Sequence, residues 1–223
     1  MVVAGEPQDY LFRPVQPNDL PMLRRWLEAP HVRHWWGDPE QQAALLEQDL
    51  AEPRMTMLIV ALRGRQFGYA QHYDGAVWPQ PCFDMLPQGT HLIDYFIGEP
   101  DMLGRGHGGA FLRGLARKVK KGARFVASDP AADNMAARRA LKRAGFRGDT
   151  IVATEAGNVV PMLFDARAGR RHVRAGLSAL VLRLGLQRQR MQGAAHLPLQ
   201  RRIDDLVLFY ARHPLEGGGD DFR

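Results

Sequence analysis

The sequence predicts a mixed α/β domain, a central sheet with helices packed against it. Three observations carry the prediction. Apolar runs suited to strands (Met55–Arg63, Gln66–Tyr73, His91–Gly98) lie among stretches whose leucines recur at helical spacing. One strand-like run leads through the glycine-dense loop Gly104-Arg105-Gly106-His107-Gly108-Gly109 into a helical pattern. The chain of 223 residues, 45% hydrophobic and 24% charged, has the size and make-up of one globular domain with room for an appendage.

In chain order, Leu20, Leu23 and Leu27 place a helix over Asp19–Glu28, with Asn18 as its cap. Asp38 opens a second helix, with Pro39 at the first helical position and Gln41 completing a capping box. Residues 30–37, with His34-Trp35-Trp36-Gly37, read as an aromatic-rich connection. The runs Met55–Arg63 and Gln66–Tyr73 form a hairpin about Arg63-Gly64-Arg65, and residues 74–90 a Pro/Gly-rich loop. In the next strand, alternation puts Leu92, Asp94 and Phe96 on one face and Ile93, Tyr95 and Ile97 on the other. Phe111, Leu112, Leu115 and Val119 then mark a helix ending near Gly122, Arg124–Ser128 a short strand, and Asp133–Arg143 a helix stopped by Ala144-Gly145-Phe146. Thr150–Ala153 and Asn158–Phe164 read as a closing hairpin.

Charge is distributed unevenly. Residues 1–100 carry 7 Arg/Lys against 13 Asp/Glu, and residues 101–165 carry 12 against 6. Residues 166–223 carry 11 against 5, every one of the 11 an arginine. An acidic part followed by a basic one suits a cationic ligand beside an anionic one, and leaves nucleic-acid binding to the tail alone. The tail's leucine stretch, Val173 to Leu186, reads as a glycine-broken, surface-packed helix, with a membrane- or partner-binding helix as the sharper alternative. No apolar run reaches the length of a membrane span. With no secretory pattern at the N-terminus and only Cys82 for a thiol, a cytoplasmic setting without internal disulfides is expected. His91 and His107 lack metal-ligand spacing, so no metal is expected.

The glycine loop carries the chemistry. Glycines admit close approach, loop amides point outward, and a helix N-terminus adds partial positive charge, which together suit a phosphate; a tight turn with glycines needed for packing is the plain alternative. A nucleoside-triphosphate loop is excluded, because Gly108-Gly109-Ala110 lacks the Lys-Ser/Thr ending. The spacing Gly104-x-Gly106-x-x-Gly109 matches a dinucleotide fingerprint in letter, but residues 98–103 separate it from its strand and too little chain follows. Coenzyme A is the third class.

Leu103-Gly104-Arg105-Gly106-His107-Gly108 resembles the pyrophosphate loop of the GNAT superfamily of acyl-CoA N-acyltransferases. Ser128-Asp129-Pro130, Asp133-Asn134 and Lys142-Arg143-Ala144-Gly145-Phe146 follow at that superfamily's spacing. His34-Trp35-Trp36-Gly37, Gly68-Tyr69-Ala70-Gln71-His72-Tyr73 and Ile93-Asp94 make the chain similar to the bacterial aminoglycoside 6′-N-acetyltransferases and related siderophore-type N-acyltransferases. The resemblance spans residues 10 to 165, which divides the chain into a transferase domain (1–165) and an Arg-rich extension (166–223).

The resemblance implies a mostly antiparallel sheet with one splayed parallel strand pair, acetyl-CoA as co-substrate, and direct transfer of its acyl group to an amine. Leu103, Gly104, Arg105, Gly106, His107, Gly108 and Gly109 would bind the pyrophosphate, Ile97 and its strand the thioester arm, and Asn134 the coenzyme arm. Asp94 would be the base, since an ammonium cannot attack until its proton is accepted; holding that ammonium is its alternative role. Asp129 would bind a second ammonium or turn the chain. Trp35, Trp36, Tyr69 and Gln71 would line the acceptor site or pack. Relatives carry a tyrosine where this chain has Leu141, leaving the departing thiolate without that acid. The implied enzyme acts on a small cationic, aminoglycoside-like amine, as a monomer or homodimer. A siderophore-type acyltransferase and an acyl-CoA-binding sensor without turnover are the rivals.

Overall fold

A computed structural model of the chain describes residues 10–78, 89–154 and 157–166. The elements follow local chemistry. Asp38 caps α3 (Pro39–Leu50) by accepting the Gln41 N–H (3.0 Å), as its spacing predicts. The hairpin β2 (Met55–Leu62) and β3 (Arg65–Asp74) and the strand β4 (Thr90–Ile97) also form where expected. So do α4 (His107–Val119), β5 (Phe125–Ser128) and α5 (Met135–Ala144).

Four details differ from the sequence reading. Tyr10–Pro14 forms a strand, β1, with two residues between it and α1's lead-in turn, too short a run for periodicity to reveal. The cap of α1 (Leu20–Glu28) is Asp19 rather than Asn18; the Asp19 carboxylate accepts the Gln16 N–H (2.8 Å) and binds the Arg13 guanidinium through two bonds (2.6 and 2.7 Å). Residues 30–36 are a helix, α2 (Pro30–Trp36): Pro30 suits its first turn, Val32 buries beneath it, and Gly37 ends it. The closing hairpin is split. β7 (Val152–Thr154) pairs with β8 (Gly157–Val159) off the main sheet, Pro161 interrupts the ladder, and β9 (Met162–Phe164) returns between β5 and β6 (Phe146–Arg147). The expected tail helix and Cys82 lie outside the described residues.

The seven-stranded sheet runs β1-β2-β3-β4-β5-β9-β6, antiparallel except for β4 and β5. Its two faces bury separate cores. Leu92 and Phe96 of β4 join Tyr69, Tyr73 and Ile59 beneath α1–α3, through Trp26, Leu27, Val32 and Leu46. Ile93, with Tyr95 and Ile97 packed beside it, joins Phe111, Leu112 and Leu115 of α4 and Leu141 of α5. The alternation read from the sequence is the alternation of these cores.

Candidate functional site

The site begins where the sheet comes apart. The parallel ladder between β4 and β5 has three pairs, Thr90↔Phe125, His91↔Val126 and Leu92↔Ala127. β4 continues to Ile97 while β5 stops at Ser128. Gly75 N–H donates to the Thr90 carbonyl and Gly98 N–H to the Phe67 carbonyl, both 2.8 Å, so the even-numbered residues of β4 spend their backbone groups on β3. By alternation the odd ones turn theirs toward β5: Ile93 N–H meets the Ala127 carbonyl at the last rung of the ladder, and those of Tyr95 and Ile97 face the opening. His31 Nε2 donates to one of these, the Ile97 carbonyl, at 2.9 Å.

Asp94 stands in that open stretch, half-buried on the α1–α3 face. Tyr69, fully buried, donates its hydroxyl to Gln71 Oε1 (2.7 Å). That bond fixes which end of the Gln71 amide faces Asp94: Nε2 donates to Asp94 Oδ2 at 2.8 Å. One carboxylate oxygen is thus held from behind. Phe96 stacks on Tyr69 (5.2 Å between centroids, 27° between planes), and Trp36 stands edge-on to Phe96 at 4.9 Å. Of the two roles read for them, lining and packing, Tyr69 (0% exposed) and Gln71 (2%) take the packed position, with Gln71 reaching Asp94 through its amide. The two tryptophans separate: Trp36 packs on the aromatic cluster, while Trp35 is 40% exposed against the His34 ring. Asp129 follows Ser128, the last residue of β5, just past the end of the parallel ladder.

The glycine loop lies at the other end of the opened strand. α4 begins at His107 with Gly106 as N-cap and no side chain bonded to the cap, so its first-turn amides have no intrahelical acceptor. Gly104 and Gly106 adopt φ of +73° and +86°, and a Cβ on either would project into open space. Two positive-φ glycines ahead of a helix start with no side-chain cap leave room and N–H donors that fit a pyrophosphate. Gly108 and Gly109 serve a different purpose. A Cβ on Gly109 would stand 2.8 Å from Arg143 Cβ, and one on Gly108 3.3 Å from Ala140 Cβ, so these two let α4 and α5 close on each other. Arg105 is exposed beside the loop, and Leu103, 41% exposed, offers it no hydrogen-bonding side chain. The His107 imidazole turns inward: Nδ1 bonds the Tyr10 hydroxyl (2.8 Å), the ring packs near Phe67, and burial lowers its pKa, with Arg105 adding repulsion. Its contribution to an anion is the backbone amide. Asn134 caps α5, its Oδ1 accepting the Ala137 N–H (3.0 Å), which leaves its amide nitrogen for a ligand. Leu141 is fully buried.

Periodicity gave no sign of His31, since its contact crosses 66 residues of sequence. Tyr95 was visible only as the residue beside Asp94 on the other face. Among the described residues no three His, Cys, Asp or Glu side chains cluster as a metal site, and no helix is long and apolar enough to cross a membrane.

Comparison with known proteins converges on one family. Residues 16–154 match the acetyltransferase (GNAT) domain. The aminoglycoside N(6′)-acetyltransferase type 1 of Klebsiella pneumoniae is 29% identical over 183 residues, covering 76% of this chain and 90% of that protein. The N-hydroxyputrescine acetyltransferase of Acinetobacter baumannii is 29% identical over 110 residues, 46% of this chain and 50% of that one. Among solved structures, AAC(6′)-Ib in complex with paromomycin and acetyl-CoA superposes with a TM-score of 0.64 at 27% identity, covering 76% of this chain and all of that one.

Proposed function

Because the chain belongs to the acetyltransferase (GNAT) domain family, and is thereby an N-acetyltransferase that takes acetyl-CoA as co-substrate, we propose that it acetylates a primary amine of an aminoglycoside-like polycation. The observation that carries the reading is Asp94, held from behind by Gln71 in the unpaired stretch of the opened strand. The relative of that name, alike over most of both chains, supplies the acceptor class.

Acetyl-CoA brings an acyl group already activated as a thioester. Gly104, Arg105, Gly106 and the first amides of α4 would hold its pyrophosphate, and Asn134 its arm. The N–H groups of Tyr95 and Ile97 face the opening, past the last rung of the parallel ladder, and are the backbone donors available to a carbonyl oxygen that gains charge as an amine attacks. Asp94 accepts the ammonium proton at the oxygen that Gln71 leaves free, and the amine becomes nucleophilic. Asp129, just past the end of β5, would take a second ammonium, and Trp36 would wall the acceptor. Residues 1–165 form the transfer unit in this reading, supported by β9, whose last residue, Phe164, is packed into the helix-side core.

The test is a thiol-release screen with acetyl-CoA and longer acyl-CoAs against aminoglycosides, polyamines and N-hydroxy diamines. Release with aminoglycosides, with the new amide mapped to the 6′ position by NMR, is the expected result. Release confined to N-hydroxy diamines would move the acceptor to the class that the Acinetobacter relative's name gives. Coenzyme binding without release to any amine would leave a sensor.

A further inference from the structure

Acyl transfer builds up charge in two places, and Asp94 serves only one. As the new N–C bond forms, the C–S bond breaks and its electron pair goes to sulfur. A hydrogen-bond donor aimed at that sulfur lowers the barrier. On α5 the fully buried Leu141 supplies carbon alone.

Tyr95 is differently placed. It follows Asp94 in the unpaired stretch of β4, so its side chain leaves by the opposite face of the sheet. There it packs edge-on to Phe111 of α4, 5.8 Å between centroids, and its hydroxyl donates to the Ala137 carbonyl of α5 at 3.2 Å. β4 forms one side of the opening, and α5 follows β5, which forms the other. The Tyr95 side chain therefore crosses from one side to the other along the helix face. Its present bond is long for a hydroxyl donor, and the Ala137 carbonyl, inside the helix, also has the Leu141 N–H to serve. A stronger acceptor entering the opening would draw the hydroxyl away.

We propose that the Tyr95 hydroxyl leaves Ala137 and hydrogen-bonds the coenzyme sulfur, stabilising the departing thiolate; this rests on the acetyl-CoA reading above. No proton moves from Tyr95. Burial pushes the phenol above its ordinary range, so it remains an O–H donor. The ammonium proton goes to Asp94 before attack. Once the N–C bond forms, the nitrogen gives its second proton to solvent, and the sulfur departs with the electron pair as a thiolate that takes a proton from solvent. Adjacent residues of one strand thus divide the reaction, the amine on one face and the leaving group on the other.

The test binds CoA and desulfo-CoA, which lacks the sulfur, to the full-length wild type and Tyr95→Phe, and titrates the bound thiol by thiolate absorbance. The bound thiol should ionise about one pH unit lower in the wild type, and at pH 9 the preference for CoA over desulfo-CoA should drop roughly tenfold in Tyr95→Phe. Desulfo-CoA should bind both proteins equally, which also shows that the variant is folded. Turnover should fall about tenfold at unchanged acceptor KM. Equal thiol ionisation in the two proteins overturns the proposal. So does loss of desulfo-CoA binding, which would make Tyr95 a strut. Failure of the wild type to bind either ligand overturns the acetyl-CoA reading, and this proposal with it.

Discussion

The two faces of β4 do opposite work with opposite materials. Beneath α1–α3, the strand presents a carboxylate backed by buried hydrogen bonds: Tyr69 orients Gln71, and Gln71 holds Asp94. Beneath α4 and α5, polar side chains give way to backbone, with open loop amides at Gly104 and Gly106 and two further glycines that bring the helices together. The difference teaches where each kind of site is fragile. A side-chain relay fails when one atom is replaced, whereas a backbone cradle fails only when something is added to it.

Asp94→Asn is the sharpest way to break that comparison. It should cut turnover by about 10² or more with CoA affinity held, in line with a general base. A rise in acceptor KM alone would reassign Asp94 to binding. Next, Gly106→Val should raise the KM for acetyl-CoA by roughly tenfold or more, because a branched residue resists a φ of +86° and its side chain would fill the space before the amides. Wild-type CoA affinity in the folded variant would remove the loop from the site. Gln71→Leu should lower turnover about tenfold, the scale of one hydrogen bond to a charged group, with both Michaelis constants nearly unchanged. If it equals Asp94→Asn, the relay is more than an orienting device.

A smaller effect concerns stability alone. Burial, with repulsion from His91 and Lys118, pushes His72 from 6.5 down to about 4. The unfolded chain therefore takes up this proton first. The stability contributed by the neutral imidazole is complete above about pH 6.5 and is lost as pH falls toward about 4. Thermal melts of wild type and His72→Phe should separate in slope across that window, and identical pH dependences would show that His72 does not titrate there. Smallest of all, deleting residues 166–223 should leave acetyl transfer within a few-fold, measured by thiol release. Loss of activity in a folded truncation would place the Arg-rich extension in the site.

Much of this was legible in the sequence because it rests on short-range rules. The period-two alternation of β4 assigned Asp94 and Tyr95 to opposite faces, and Asp38 with Pro39 announced the start of α3. What escaped depends on distant partners. Trp36 as an aromatic cover over Phe96, and His31 on the Ile97 carbonyl, require α2 to be laid across β4, which no local pattern encodes. The roles of the glycines divided for a similar reason. All four look alike in a phosphate loop, yet two answer to α5, thirty residues further on, through Ala140 and Arg143. Tyr69 and Gln71 stood out through the resemblance, but that their hydrogen bonds run in series to Asp94 is a fact of strand register and side-chain reach.

The insertion of β9 between β5 and β6 has a consequence for biosynthesis. The ribosome makes both neighbours first, so until residues 162–164 appear, β5 carries an open edge on the nascent chain and β6 has no strand to join. The half of the sheet under α4 and α5 closes only with its final strand, while β1 through β4 can already pair in the order they are made. A chain terminated at residue 160 would therefore carry every loop and side chain proposed for the chemistry and still expose a raw sheet edge, the form in which such a product meets proteases and aggregates.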